Sequence, residues 1–306
     1  MGRLANKNNM KKRLTAFIPT NLRNSLRLPI YRAEALLQRA KFAGLKTPAG
    51  GWPVLMANSF PKSGSHLLDQ VLMGFSKISP FSPHVALPFF SYDGVTGQKR
   101  TVQEAMAYVN ALRPLDVTGT HLLAWPEVVD AVCTPRFIPY IIFRDPRDIV
   151  VSHVFYITEM APGHAHYQYY NQNLKNFDER LKVSILGRPE TQIEFPDIAS
   201  RFELYRGWMD RPQVLVLRFE DFIHNRHATI GQVADHFLKR VDTLAASREQ
   251  IIDALENNID PKRSPTFRAG KTGDWKKYFK DEHKKIFKEV AGELLVQLGY
   301  EKDNNW

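Results

Sequence analysis

From Trp52 onward, short apolar runs alternate with longer stretches in which apolar residues recur every three or four positions. The unbroken runs Pro53 to Ser59, Phe137 to Phe143 and Val214 to Arg218 read as buried strands. The helical period covers Ser65 to Phe75, Val102 to Leu112, Pro146 to Tyr156, Asp197 to Met209, Ala228 to Leu238, Arg248 to Glu256 and Asp281 to Leu298. Strands separated by helices are the pattern of a parallel sheet with crossover connections. The expected fold class is therefore α/β, a single domain over residues 51–300 with a central, mostly parallel sheet flanked by helices. Internal repeats and low-complexity segments are missing from the sequence.

The first fifty residues follow a different pattern. A polar start and the basic cluster Lys11, Lys12 and Arg13 lead into Ser25 to Leu45, where leucines alternate with arginines, and Pro48-Ala49-Gly50-Gly51 closes the segment. This is a basic helical arm over residues 1–50, with three readings open: a solvated arm packed on the domain, a peripheral contact with anionic membrane, or an Arg-rich transit peptide. Asn6 stands where a myristoylation signal needs Ser or Thr, and no secretory apolar core is present.

Charge sharpens that division. The 306-residue chain carries a net +10, and the first fifty residues account for all of it, with eleven Lys and Arg against the single acid Glu34. The remaining 256 residues hold 31 bases and 31 acids. A neutral body argues against a nucleic-acid footprint, so an anion bound there must be gripped by a few placed side chains. One cysteine, Cys133, allows no internal disulfide and no thiolate metal cage, which points to a reducing, cytoplasmic setting.

Two loops carry candidate chemistry. The first strand runs into Phe60-Pro61-Lys62-Ser63-Gly64-Ser65-His66 and then an apolar helix. A helix start with a glycine turn, hydroxyls and a lysine suits a phosphate-type anion, although Lys62 precedes the glycine and the Walker A spacing is absent. In the second, Phe143 ends in Arg144-Asp145-Pro146-Arg147-Asp148, with Asp145 as helix cap and Pro146 as first helical residue. Arg144 then sits at a strand's carboxyl end, where open α/β sheets bind ligands, and its fork of donors suits a phosphate.

Together these loops resemble the cytosolic-type family of sulfotransferases that use 3′-phosphoadenosine-5′-phosphosulfate (PAPS). The family's P-K-S-G-T-T-W is similar to Pro61-Lys62-Ser63-Gly64-Ser65-His66-Leu67, and its R-[ND]-P-[KR]-D-x-x-x-S matches Arg144 to Ser152 throughout. A third motif, R-K-G-x-x-G-D-W-K, matches Arg268 to Lys276 except at Ala269, and Thr118-Gly119-Thr120-His121 occupies the slot of the family's K-T-H. The likeness covers roughly residues 52–300. Departures are Leu67 for the tryptophan near adenine, His66 for threonine, Phe219 where tyrosine is usual, and Ala269 for a lysine, with Lys271 two residues on as the candidate substitute.

The resemblance implies a P-loop-like fold, PAPS as co-substrate with its bisphosphate product PAP, and no metal. It implies His121 as general base and Lys62 at the leaving oxygen. Ser63, Gly64, Ser65, His66, Arg144, Ser152, Phe219, Arg268 and Gly270 complete the nucleotide site. The expected partner is a small-molecule, lipid or glycan acceptor bearing a hydroxyl or an amine, held by the aromatic-rich segments Pro80 to Asp93 and Tyr156 to Asn173 if these are not core packing. Oligomeric state is not legible. The competing classes are a small-molecule or nucleotide kinase and a non-catalytic nucleotide-binding protein at a membrane surface.

Overall fold

The computed structural model describes residues 20–188, 193–264, 266, 268 and 270–306. The basic cluster Lys11 to Arg13, the Gly2 to Asn6 start and Ala269 lie outside them. Five parallel strands form one sheet: β1 (Val54–Ser59), β2 (Val85–Phe90), β3 (Val117–His121), β4 (Phe137–Phe143) and β5 (Leu215–Arg218), in the order β2-β3-β1-β4-β5. Side chains alternate across the sheet as a period of two requires. Met56, Ile141 and Phe143 enter a core with Val150, Phe202 and Trp208 on one face. Leu55, Tyr140 and Ile142 enter a second core with Leu68, Phe75 and Phe237 on the other. Burial on both faces explains why β1 and β4 read as continuous apolar runs.

Three expected strands and all seven expected helices are present, within a few residues at their ends. Arg248–Glu256 starts under the reciprocal Ser247–Gln250 cap and Val102–Ala111 under the Thr101–Glu104 cap. The aromatic-rich segment Pro80 to Asp93, not among the expected strands, contains the edge strand β2. Pro88 hid it: proline cannot donate to a ladder, and here the pairing register with β3 shifts between Ala86 and Phe89, the edge position where a proline is tolerated. Tyr156 to Asn173 contains two π-helical turns, Tyr156–Met160 and Tyr169–Asn173, the first continuing the helix Pro146–Phe155.

Register places the chemistry. Asn58 pairs with Thr120, Ser59 with Ile142, and Phe143 with Arg218. Ser59, His121, Arg144 and Phe219 therefore emerge together at the carboxyl edge of the sheet, where β3 and β4 part on either side of β1. Asn58, buried at that edge, holds the exit of β3: its amide donates to the Leu122 carbonyl (3.0 Å), while its oxygen accepts from the Leu122 N–H (2.8 Å) and the Thr120 hydroxyl (3.0 Å). Asn58→Ala strands the Leu122 N–H and the Thr120 hydroxyl in a dry site, while the Leu122 carbonyl keeps Trp208 as donor. It should cost about 2 kcal/mol in denaturant unfolding and lower kcat more than nucleotide affinity, because the residue it releases is His121.

Candidate active site

The first loop turns between β1 and the helix Ser65–Met73. Gly64 takes φ +100°, and a Cβ there would meet the Phe219 ring at 2.7 Å, so only glycine serves. Lys62 also adopts a left-handed φ of 70°, uncommon for a side-chain-bearing residue and characteristic of functional turns. No side chain caps the helix start, which leaves its first N–H groups facing outward. Ser63 Oγ is buried without a hydrogen-bond partner among the described residues.

The Lys62 ammonium lies 3.8 Å above the Tyr156 ring. Burial, reinforced by the charges of Arg144 and Arg268, pulls its pKa down to about 7. Three cations thus crowd one cleft. Arg144 is buried, donates to the Lys271 carbonyl (2.7 Å) and Asp148 (3.2 Å), and lies over the Phe219 ring, yet its Nε has no partner among the described residues. Arg268 pairs with Asp274 and lies over the Phe155 ring, one helical turn from half-buried Ser152. Gly270 supplies the loop's left-handed turn at φ 59°. An orphaned hydroxyl, an orphaned guanidinium nitrogen and a lysine disfavoured as a cation by burial and by its neighbours fit a multiply charged anion.

Asp148 binds the second and third loops together. Besides Arg144 it accepts from the Gly273 N–H (2.8 Å) and the Trp275 N–H (2.9 Å). Phe219 joins the first loop to the second, wedged between Gly64 and Arg144. This packing contact stands beside the nucleotide-site role the resemblance implies for Phe219.

His121 ends β3 with its ring 4.9 Å from that of Phe90. Its Nδ1 is 2.8 Å from the Ser59 carbonyl oxygen, which can only accept, so Nδ1 carries the proton and Nε2 keeps its lone pair. The Ser59 hydroxyl, 3.0 Å from the same nitrogen, donates to Ser65 Oγ at 2.8 Å, which frees the Ser65 hydrogen for another acceptor. Burial pulls the imidazole pKa down to about 4 against the Ser59 contact, with Lys62 and His66 adding to the fall, so the ring is neutral at physiological pH. His66 is partly exposed at the helix start, 3.9 Å from Asp69, whose carboxyl burial pushes up to about 7. Ser59, Asn58, Asp148 and Tyr156 escaped sequence reasoning as site residues. A hydroxyl just before a phosphate loop was the one local signal, at Ser59.

An α/β sheet that gathers a phosphate loop, a neutral imidazole of fixed tautomer and two arginines at its carboxyl edge defines a nucleotide-dependent group transferase. Residues 54–299 match the family described as the sulfotransferase domain, and the chain belongs to that family. It is a sulfotransferase. No curated protein matches it in sequence. Among solved structures it is similar to mouse sulfotransferase SULT7A1 complexed with PAP, at 15% identity and TM-score 0.54 over 88% of this chain and 92% of that one. It is also similar to retinol dehydratase in complex with androsterone and the inactive cofactor PAP, at 16% identity and TM-score 0.52 over 86% and 85%. At such identities the likeness is one of fold.

Two outcomes follow. Because Lys62 loses its proton near pH 7 and a bound anion favours the charged form, bisphosphate binding should take up a proton. Affinity should then weaken on the order of tenfold between about pH 6.5 and about 8.5, in calorimetry across buffers of different ionisation enthalpy, and Lys62→Met should flatten that slope. Asp148→Ala leaves Arg144 buried without its carboxylate and the two loop N–H groups without an acceptor. It should cost about 3 kcal/mol in denaturant unfolding and weaken bisphosphate binding with it.

Proposed function

We propose that this chain transfers a sulfuryl group from PAPS to a hydroxyl, or an amine, of a small-molecule, lipid or glycan acceptor, with His121 as general base. The observation that carries the reading is the fixed His121 tautomer beside the phosphate-type loop: the Ser59 carbonyl claims the Nδ1 proton and reserves Nε2 as acceptor. Bound PAPS supplies an activated sulfuryl group and departs as PAP. His121 Nε2 takes the acceptor's proton. Lys62, Ser63, Ser65 and the N–H groups at Gly64 and His66 neutralise the charge that develops on the 5′ side. Arg144, Ser152, Arg268 and Gly270 hold the 3′-phosphate, with Lys271 positioned by its carbonyl contact to Arg144.

Two neighbours in fold support this assignment, since both were crystallised with PAP and one of them also holds androsterone. An acceptor of that apolar-alcohol type suits the flank of His121, where Phe90 is 40% exposed and Tyr156 and His164 meet edge to face at 5.8 Å. The division we adopt is an arm over residues 1–50 and a sulfotransferase domain over 51–300. A single, half-buried cysteine supports a reducing, cytoplasmic setting.

His121→Ala should retain bisphosphate affinity and lower kcat on the order of a thousandfold, in turnover of labelled PAPS against a panel of phenols, sterols, fatty alcohols, amines and glycans. Near-normal turnover of that variant across pH would dismiss His121 as the base.

A further inference from the structure

The helix Thr20–Lys41 has two sides with opposite fates. One side is fastened to the domain. Tyr31 and Arg32 donate to the fully buried carboxylate of Asp116 (3.1 Å each), Gln38 donates to the Ser76 and Ser79 carbonyls, and Glu34 meets His84 at 3.1 Å. Tyr31, Ala35 and Gln38, at i, i+4 and i+7, are buried. The other side has no cover among the described residues. Ile30, Ala33, Leu37 and Ala40 recur at i, i+3, i+7 and i+10 and are exposed, as is Leu36 beside them. Ile30 is 55%, Leu36 64% and Leu37 66% exposed, the values of side chains that a soluble surface gains nothing by presenting in a row.

We propose that this outward face docks on an anionic lipid surface. Charge selects that occupant. Residues 1–27, which run directly into the exposed stripe, contain seven Lys and Arg and no acid, and the first fifty residues hold the whole +10 of the chain. A second copy would bring the same positive arm and be repelled, whereas the domain, with equal bases and acids, offers the arm no net attraction. An apolar stripe beside dense positive charge is the pattern of a helix lying in the headgroup plane. No helix among the described residues is long and apolar enough to cross a membrane, so the helix lies on the surface and does not span it.

The fastening also sets orientation. Asp116 and Pro114 precede β3 and His84 precedes β2, so the helix is held at the amino edge of the sheet. The cleft opens at the carboxyl edge. Docking therefore leaves the cleft facing away from the lipid, and it moves independently of turnover.

The test is flotation of the full chain with phosphatidylcholine vesicles, with and without phosphatidylserine, beside the Leu36→Glu/Leu37→Glu double variant. Both replaced side chains are exposed and glutamate favours helix, so the variant should fold and keep its bisphosphate affinity. Wild type should float with phosphatidylserine vesicles at low salt and be released at high salt. The double variant should bind on the order of tenfold less tightly. Failure of the full chain to float at low salt overturns the proposal. So does floating of the variant equal to wild type, and so does a wild-type dimer that the same two glutamates dissociate, which would assign the face to a second copy. Turnover of labelled PAPS, measured without vesicles, separates any of these results from a failure of the catalytic assignment.

Discussion

The buried carboxylate of Asp148 is the contact on which the rest of the cleft depends. It lies in the first turn of the helix Pro146–Phe155, so its place is set by the local cap and proline. What it binds is not local: the Gly273 and Trp275 N–H groups come from a loop more than a hundred residues downstream. In a dry position a carboxylate must be compensated, and Arg144 together with those two donors does so. That necessity draws the third loop over the second and brings Arg268 toward Lys62. Burial, with the crowding of cations that results, depresses Lys62, an electrostatic cost that a polyanionic nucleotide relieves on binding.

A second chain of contacts couples the base to the phosphate loop. Ser59 touches His121 through its carbonyl and Ser65 through its hydroxyl, and Asn58 next to it pins the chain leaving His121. Trp208 donates to the same Leu122 carbonyl at 2.8 Å. The imidazole is therefore oriented by backbone and amide groups of β1, without a carboxylate partner among the described residues. Its low pKa follows from the same arrangement: burial and neighbouring cations disfavour imidazolium, and a carbonyl is a weaker counterweight than an anion. The site holds a base that is neutral before substrate arrives, at the cost of modest intrinsic basicity.

The two edges of the sheet do different work. The carboxyl edge gathers charge that is partly paired and partly orphaned, as a ligand site requires. The amino edge receives the N-terminal helix through a paired network around Asp116, which leaves nothing polar unsatisfied on that carboxylate and turns the apolar stripe outward. Parallel strands make this separation automatic, because every strand presents its carboxyl end on the same side.

Much of this was legible because the signals are local. Gly64 in its turn, and Asp145 and Pro146 at a helix start, are short-range chemistry, and the loops they frame stand where the sequence placed them. The cationic arm and the neutral body were likewise available from composition, Lys62 and Arg144 from the loops that carry them, and Arg268 and His121 from the resemblance to the family. The strand β2 was not, since Pro88 breaks its pattern and only pairing with β3 reveals it. Phe219 was legible as an aromatic and not as a wedge between Gly64 and Arg144. Tautomer, the coupling through Ser59, the depressed Lys62 and the outward side of the N-terminal helix were decided by tertiary structure alone. Each depends on groups brought within hydrogen-bond or Coulomb range from distant parts of the chain, and a linear sequence specifies which groups exist but not the distances between them.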